Sequence, residues 1–131
     1  MPPVQKILLI AAGGALGATL RYGLSELTHR LLGPGFPWGT LAANLIGCFA
    51  IGFLWAFSER LPLDPRLSPF LLTGVIGAFT TFSTYGLESL NLLRDGEIVH
   101  GLANILTSNL AGLALVLVGF FCARLALGVS R

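Results

Sequence analysis

Four apolar stretches, each about as long as a bilayer crossing, take up nearly all of this chain, and that spacing constrains its fold more than any motif. The second shows the pattern most plainly. "WGTLAANLIGCFAIGFLWAF", residues 38–57, carries a tryptophan near each end and no charge between them. A helix needs ~20 mostly apolar residues to cross the hydrocarbon core, and tryptophan prefers the interface. The first stretch runs from residue 4 past Tyr22 toward Leu32 and stops at the "GPGFP" breaker of residues 33–37. A polar loop with prolines, "SERLPLDPRLSP", leads into the third, residues 70–93. "RDGE" then turns the chain into the fourth, residues 98–127. The expected architecture is an all-α integral membrane protein with four transmembrane helices per chain, one transmembrane domain over residues 1–131. It is a multi-pass protein of the cell membrane.

Composition closes off other classes. Of the 131 residues 54% are hydrophobic and 11% charged, so a lipid bilayer is the expected surrounding rather than water. Eight basic and six acidic residues give a net charge of +2, spread one or two per loop with no cluster fit to track a nucleic acid. Cys48 and Cys122 fall inside spans, where a small polarizable side chain packs well. The N-terminal "ILLIAAGGALGA" after Lys6 has the look of a signal peptide. It is read instead as a retained first span, because the same small residues make a helix-packing face.

Basic residues give only a weak orientation. Lys6, Arg60, Arg66, Arg124 and Arg131 fall on the side of the termini, and Arg21, Arg30 and Arg94 on the other. A chain with so slight a bias is expected to insert both ways and to pair antiparallel. Gly13, Gly14 and Gly17 in span 1, with Ala43 and Gly47 in span 2, offer small faces for close helix approach.

Polar groups at membrane depth are costly unless satisfied. Span 3 gathers them: "GVIGAFTTFSTYGLE", residues 74–88, sets Thr80, Thr81, Ser83 and Thr84 among Phe79, Phe82 and Tyr85. One hydroxyl in a span usually bonds the carbonyl one turn back, but a cluster asks for more. Gly74 and Gly77 flank β-branched Val75 and Ile76, which weakens the helix there. Residues 77–80 lie roughly 12 to 17 Å inward from Pro69 at ~1.5 Å per residue, near the middle of a ~30 Å core. A break at that depth survives only in a protein-lined or watery setting. The carbonyls it frees are good ligands for a hard cation such as Na⁺.

Span 2 adds Thr40, Asn44 and Cys48 on one face, and span 4 adds Asn104 and Ser108, flanked by Thr107 and Asn109 and followed by Gly112. For Asn44, glue between helices and a donor on a pathway are both open readings. Neutral donors outnumber charges in these stripes, which suits a permeating anion. Glu88 is the acid within span 3, and Arg21 is the basic residue inside span 1. Fourteen residues separate Arg21 from Lys6, ~21 Å of helix, so it is expected below the far surface as a vestibule charge or a snorkelling side chain. Phe82 and Tyr85 have ring edges that carry the positive side of the quadrupole and could face a small anion, but an aromatic stripe at helical spacing reads first as packing.

These residues, with "GTLAANLIG" of span 2 and "GGALGATLRY" of span 1, closely resemble the Fluc (CrcB-type) fluoride channels of microbes. The likeness covers all four spans in order. It implies an antiparallel dual-topology homodimer with the third helix broken at mid-membrane and two pores, carrying fluoride passively out of the cell. By that resemblance Asn44, Phe82, Tyr85 and Ser108 mark the anion pathway, to which the polar stripes read from the residues add Thr40, Thr81, Ser83 and Thr84, and Arg21 and Glu88 are vestibule charges. The backbone carbonyls of Gly77 and Thr80 would hold a structural Na⁺. Three positions depart from the family pattern: Tyr85 stands where phenylalanine is usual, Ala78 where a second glycine is usual, and Asn104 where a tyrosine is often found. Fluoride holds water tightly, so a pore for it must offer closely spaced hydroxyl, amide and ring-edge donors.

The rival class is a small dual-topology multidrug/proton antiporter, which would need a membrane-embedded acid in span 1, where none is expected here. A scaffold subunit would need the hydroxyls of span 3 to be packing alone. An enzyme is not expected, because His29 and His100 stand near span ends without a nucleophile, base or metal-ligand cluster.

Overall fold

A computed structural model describes residues 1–128, and Arg131 of the charge count lies outside them. Among the described residues every regular element is helical. The order is α1 (Pro3–Leu32), α2 (Trp38–Arg60), a π-wound segment (Pro69–Ile76), one turn α3 (Gly77–Phe79), α4 (Phe82–Arg94) and α5 (Ile98–Ala126). Among the described residues four helical stretches, with residues 69–94 as the third, are long and apolar enough to cross a membrane.

Local chemistry explains the ends. Proline sits in the first turn of α1 and of the π-wound segment, where its missing N–H removes no helical bond. His29 and Arg30 fall in the last turn of α1 and Arg94 in that of α4, favourable positions beside free carbonyls. Gly96, at φ 82°, closes α4: its N–H donates to the Leu93 carbonyl and that of Glu97 to Leu92, the paired bonds of a left-handed helix stop. α1 runs on through Glu26, so the first helix does hold an acid. Its exposed carboxylate lies 4.0 Å from Arg30 one turn on, in the final turns of the helix, rather than facing a site within the bundle.

Lipid tails are as apolar as leucine, so helices in a bilayer associate by close packing rather than by hydrophobic exclusion. The core is accordingly small: Ala43, Ala56 and Ala123 are buried, and the largest fully buried side chain is Asn104. α2 packs most extensively on α5. There a Cβ on Gly52 would strike the Val116 carbonyl, and one on Gly119 the Phe49 carbonyl. α1 packs on the π-wound segment through Gly13 and Gly17, whose added Cβ atoms would strike the carbonyls of Phe70 and Val75. Gly14 faces open space and takes no part.

The third span leaves helical geometry at Thr80 (φ −86°, ψ 156°) and Thr81 (φ −151°, ψ 121°). Gly77, where the glycine-rich composition located the weak point, keeps helical angles (φ −59°, ψ −36°). The reason lies in packing. Gly74 serves a close backbone approach to Gly13 and Ile10, while the two threonines downstream meet a side chain able to replace their helical bonds.

Candidate functional site

That side chain is Asn44, about a turn and a half into α2. Its Oδ1 accepts the Thr81 N–H at 2.7 Å and its Nδ2 donates to the Thr81 carbonyl at 2.9 Å, so one amide satisfies both sides of the residue. In an unbroken helix the Thr81 N–H would bond the Gly77 carbonyl, and the Thr84 N–H the Thr80 carbonyl. Both donors are redirected. Thr84 donates its N–H to Thr81 Oγ1 at 3.2 Å, which makes Thr81 the N-cap of α4. The carbonyls of Gly77 and Thr80 have therefore lost their helical donors. Gly77 is exposed.

A polar seam continues from there along α4. Ser89 donates to the Tyr85 carbonyl at 2.8 Å and accepts from Asn104 Nδ2 of α5 at 2.9 Å. Ser108 stands one turn beyond Asn104, with its Oγ 3.5 Å from Asn104 Oδ1. Asn109 Nδ2 donates to the Tyr85 hydroxyl at 2.9 Å. On the other side of α4, Thr40 of α2 donates to Glu88 Oε1 at 2.9 Å, whereas Glu88 Oε2 is buried with no partner among the described residues. Thr40 and Asn44 are one turn apart on α2, as Tyr85 and Glu88 are on α4. The two helices thus face one another through matching polar stripes.

Two cavities open onto this seam. One of about 430 Å³ is lined by Asn44, Thr80, Thr81, Phe82, Tyr85, Ser108 and Asn109. The other, about 390 Å³, lies toward the α1–α2 turn and is lined by Thr40 and Glu88 with His29, Ser25 and Asp95. Phe82 is 81% exposed although it borders the first cavity, and its ring centre lies 5.3 Å from that of buried Tyr85 at 53°. The structure thus brings Asn44, Thr80, Thr81, Phe82, Tyr85 and Ser108 around one space and Thr40 and Glu88 around the next. Ser83, Thr84 and Arg21 border neither. Arg21 is half-buried on α1 and has no hydrogen-bond or ion-pair partner among the described residues.

Hydroxyl density and free donors are different things here. The protons of Thr40, Thr80, Thr81 and Ser89 are engaged by Glu88, the Ile76 carbonyl, Thr84 Oγ1 and the Tyr85 carbonyl. Toward a ligand in the 430 Å³ cavity there remain the second N–H of Asn44, the ring edges of Phe82 and Tyr85, and the Tyr85 hydroxyl. Ser89 and the role of Asn109 are not apparent from the sequence. Ser89 continues the α4 stripe one turn past Tyr85, a signal present but weak, whereas nothing in the sequence pairs Asn109 with Tyr85.

Comparison with known proteins places the chain among relatives. The model of the family described as CrcB-like protein, Camphor Resistance (CrcB), matches residues 8–120. A protein of Salinibacter ruber called "Fluoride-specific ion channel FluC" is 56% identical over 94% of this chain and 92% of its own length. Proteins of the same name from Dehalococcoides mccartyi and Magnetococcus marinus are 48% and 45% identical, covering 92% of this chain and 93% and 99% of theirs.

Proposed function

The chain belongs to the CrcB family, and from that membership and the donor-lined seam we propose that it is a fluoride-selective channel carrying the ion passively across the membrane. The observation that carries the reading is the 430 Å³ cavity, where a freed amide N–H, two ring edges and a hydroxyl converge with no full charge among them. Fluoride is small and strongly hydrated, so only closely spaced compact donors compensate for lost water. Binding must also be weak enough to release the ion, which neutral dipoles satisfy better than a lysine or arginine. The pathway on this reading runs along the Asn44 and Tyr85 stripes toward Thr40 and Glu88, with Ser108 on its α5 side. Thr81, Ser83 and Thr84 shape its α4 end.

The working unit on this reading is an antiparallel homodimer with two pores. Support comes from the weak charge bias and from Phe82, a ring bordering the cavity yet mostly uncovered within one copy. The carbonyls of Gly77 and Thr80, deprived of helical donors, fit a hard cation such as Na⁺, whose charge would fix the interruption of the third span. Arg21 has the charge of a vestibule residue, and a second copy is what would bring it to one.

The test is ion efflux from liposomes containing only the purified protein. Fluoride is expected to leave rapidly and chloride to stay, with crosslinking reporting antiparallel pairs. Equal chloride flux, or no flux of either ion, overturns the reading.

A further inference from the structure

The direction of the contact between Tyr85 and Asn109 at the cavity follows from chemistry alone. Asn109 Nδ2 lies 2.8 Å from the Ile105 carbonyl oxygen and 2.9 Å from the Tyr85 hydroxyl. A carbonyl oxygen only accepts, so the nitrogen of the Asn109 amide, and not its oxygen, must face Ile105. The other hydrogen on that nitrogen then meets Tyr85, and the tyrosine oxygen accepts it. A hydroxyl that accepts from one neighbour turns its own proton elsewhere. Among the described residues no acceptor for that proton is present, and both side chains line the 430 Å³ cavity.

We propose that Asn109 is a positioning residue that makes Tyr85 an O–H donor to an anion in this cavity, a donor that phenylalanine at position 85 would not supply. The inference rests on the anion-channel reading above. Its force comes from scarcity: Thr80 and Thr81 border the same space but have their protons engaged within the protein. Hydrogen bonds to an ion are roughly twice as strong as neutral ones, so one free O–H weighs heavily among the few donors that remain. Tyr85 is only 8% exposed and its ring packs on Phe82, so its backbone and ring stay fixed while the hydroxyl alone distinguishes it from phenylalanine.

The experiment measures initial fluoride efflux from liposomes against internal fluoride concentration for the wild type, Tyr85→Phe, Asn109→Leu and the double variant. Tyr85→Phe is expected to raise the half-saturating concentration about fivefold, roughly the loss of one modest hydrogen bond, with little change in maximal rate. Asn109→Leu should raise it about threefold, because the hydroxyl is then free to rotate away. In the Tyr85→Phe background Asn109→Leu should add nothing. A merely structural role would lower the maximal rate and would persist in that background. Asn109→Ser replaces Asn109→Leu if the latter does not elute as folded protein. An unchanged half-saturating concentration in Tyr85→Phe, or an undiminished Asn109 effect in its background, overturns the inference while leaving a working fluoride channel. A wild type that passes no fluoride overturns the channel reading and this inference with it.

Discussion

Upstream of Thr80 the third span touches its neighbour through backbone, and downstream of Thr81 it touches its neighbours through side-chain hydrogen bonds. Residues 69–79 lie against α1 where Gly13, Gly17 and Gly74 leave no room for a Cβ, so carbonyls and α-carbons meet directly. Within α4, by contrast, Tyr85 is reached by Asn109, Ser89 by Asn104 and Glu88 by Thr40. In lipid neither half has a hydrophobic driving force toward its partner, and each uses one of the two forces left, dispersion at short range or polar pairing. Close backbone packing tolerates no added atoms but needs no particular polar group. Polar pairing tolerates changes of size but leaves an orphan when one partner is removed. Asn44 stands at the junction and joins the two regimes.

The strongest way to break this contrast is to crowd the upstream half. Gly17→Leu drives a side chain into the Val75 carbonyl, where backbone cannot move aside. The expected cost is about 3 kcal/mol or more, seen as loss of monodisperse protein in size-exclusion chromatography. Next comes the junction. Asn44→Leu removes both partners of Thr81, and because that residue is half-buried the two orphaned groups together cost about 1–3 kcal/mol. Its thermal unfolding midpoint should fall clearly, whereas Asn44→Asp, which keeps the acceptor for the Thr81 N–H, should fall about half as far. The smallest effect belongs to the downstream half: Ser89→Ala leaves Asn104 Nδ2 without its acceptor at a cost of about 1–2 kcal/mol. If Ser89→Ala destabilises as much as Gly17→Leu, the two halves are held by the same means and the contrast fails.

Much of this was legible in the residues. The four spans end within a few residues of where their apolar runs and breakers place them, because desolvation of the backbone forces each run to be helical. Thr40, Asn44 and Glu88 stand out from the residues as polar groups within spans, whereas Phe82 and Tyr85 read as packing until the family resemblance singles them out. The position of the interruption was legible only in part. Glycine and β-branched composition points to a break over residues 77–80, yet Gly74 serves contact with α1, Gly77 keeps helical angles, and the chain opens at Thr80 and Thr81. Nor does any sequence pattern show that Thr80 directs its proton at its own helix while Tyr85 keeps one free.

The order and extent of the membrane spans, and the gathering of polar groups in the third, follow from the sequence by itself, since hydropathy and helix periodicity act over neighbouring residues. Which hydroxyls remain free donors, and which carbonyls lose theirs, was decided only by tertiary structure. A hydrogen bond is fixed by where its partner sits, and the partners of Thr81, Ser89 and Tyr85 come from helices 37, 15 and 24 residues away along the chain.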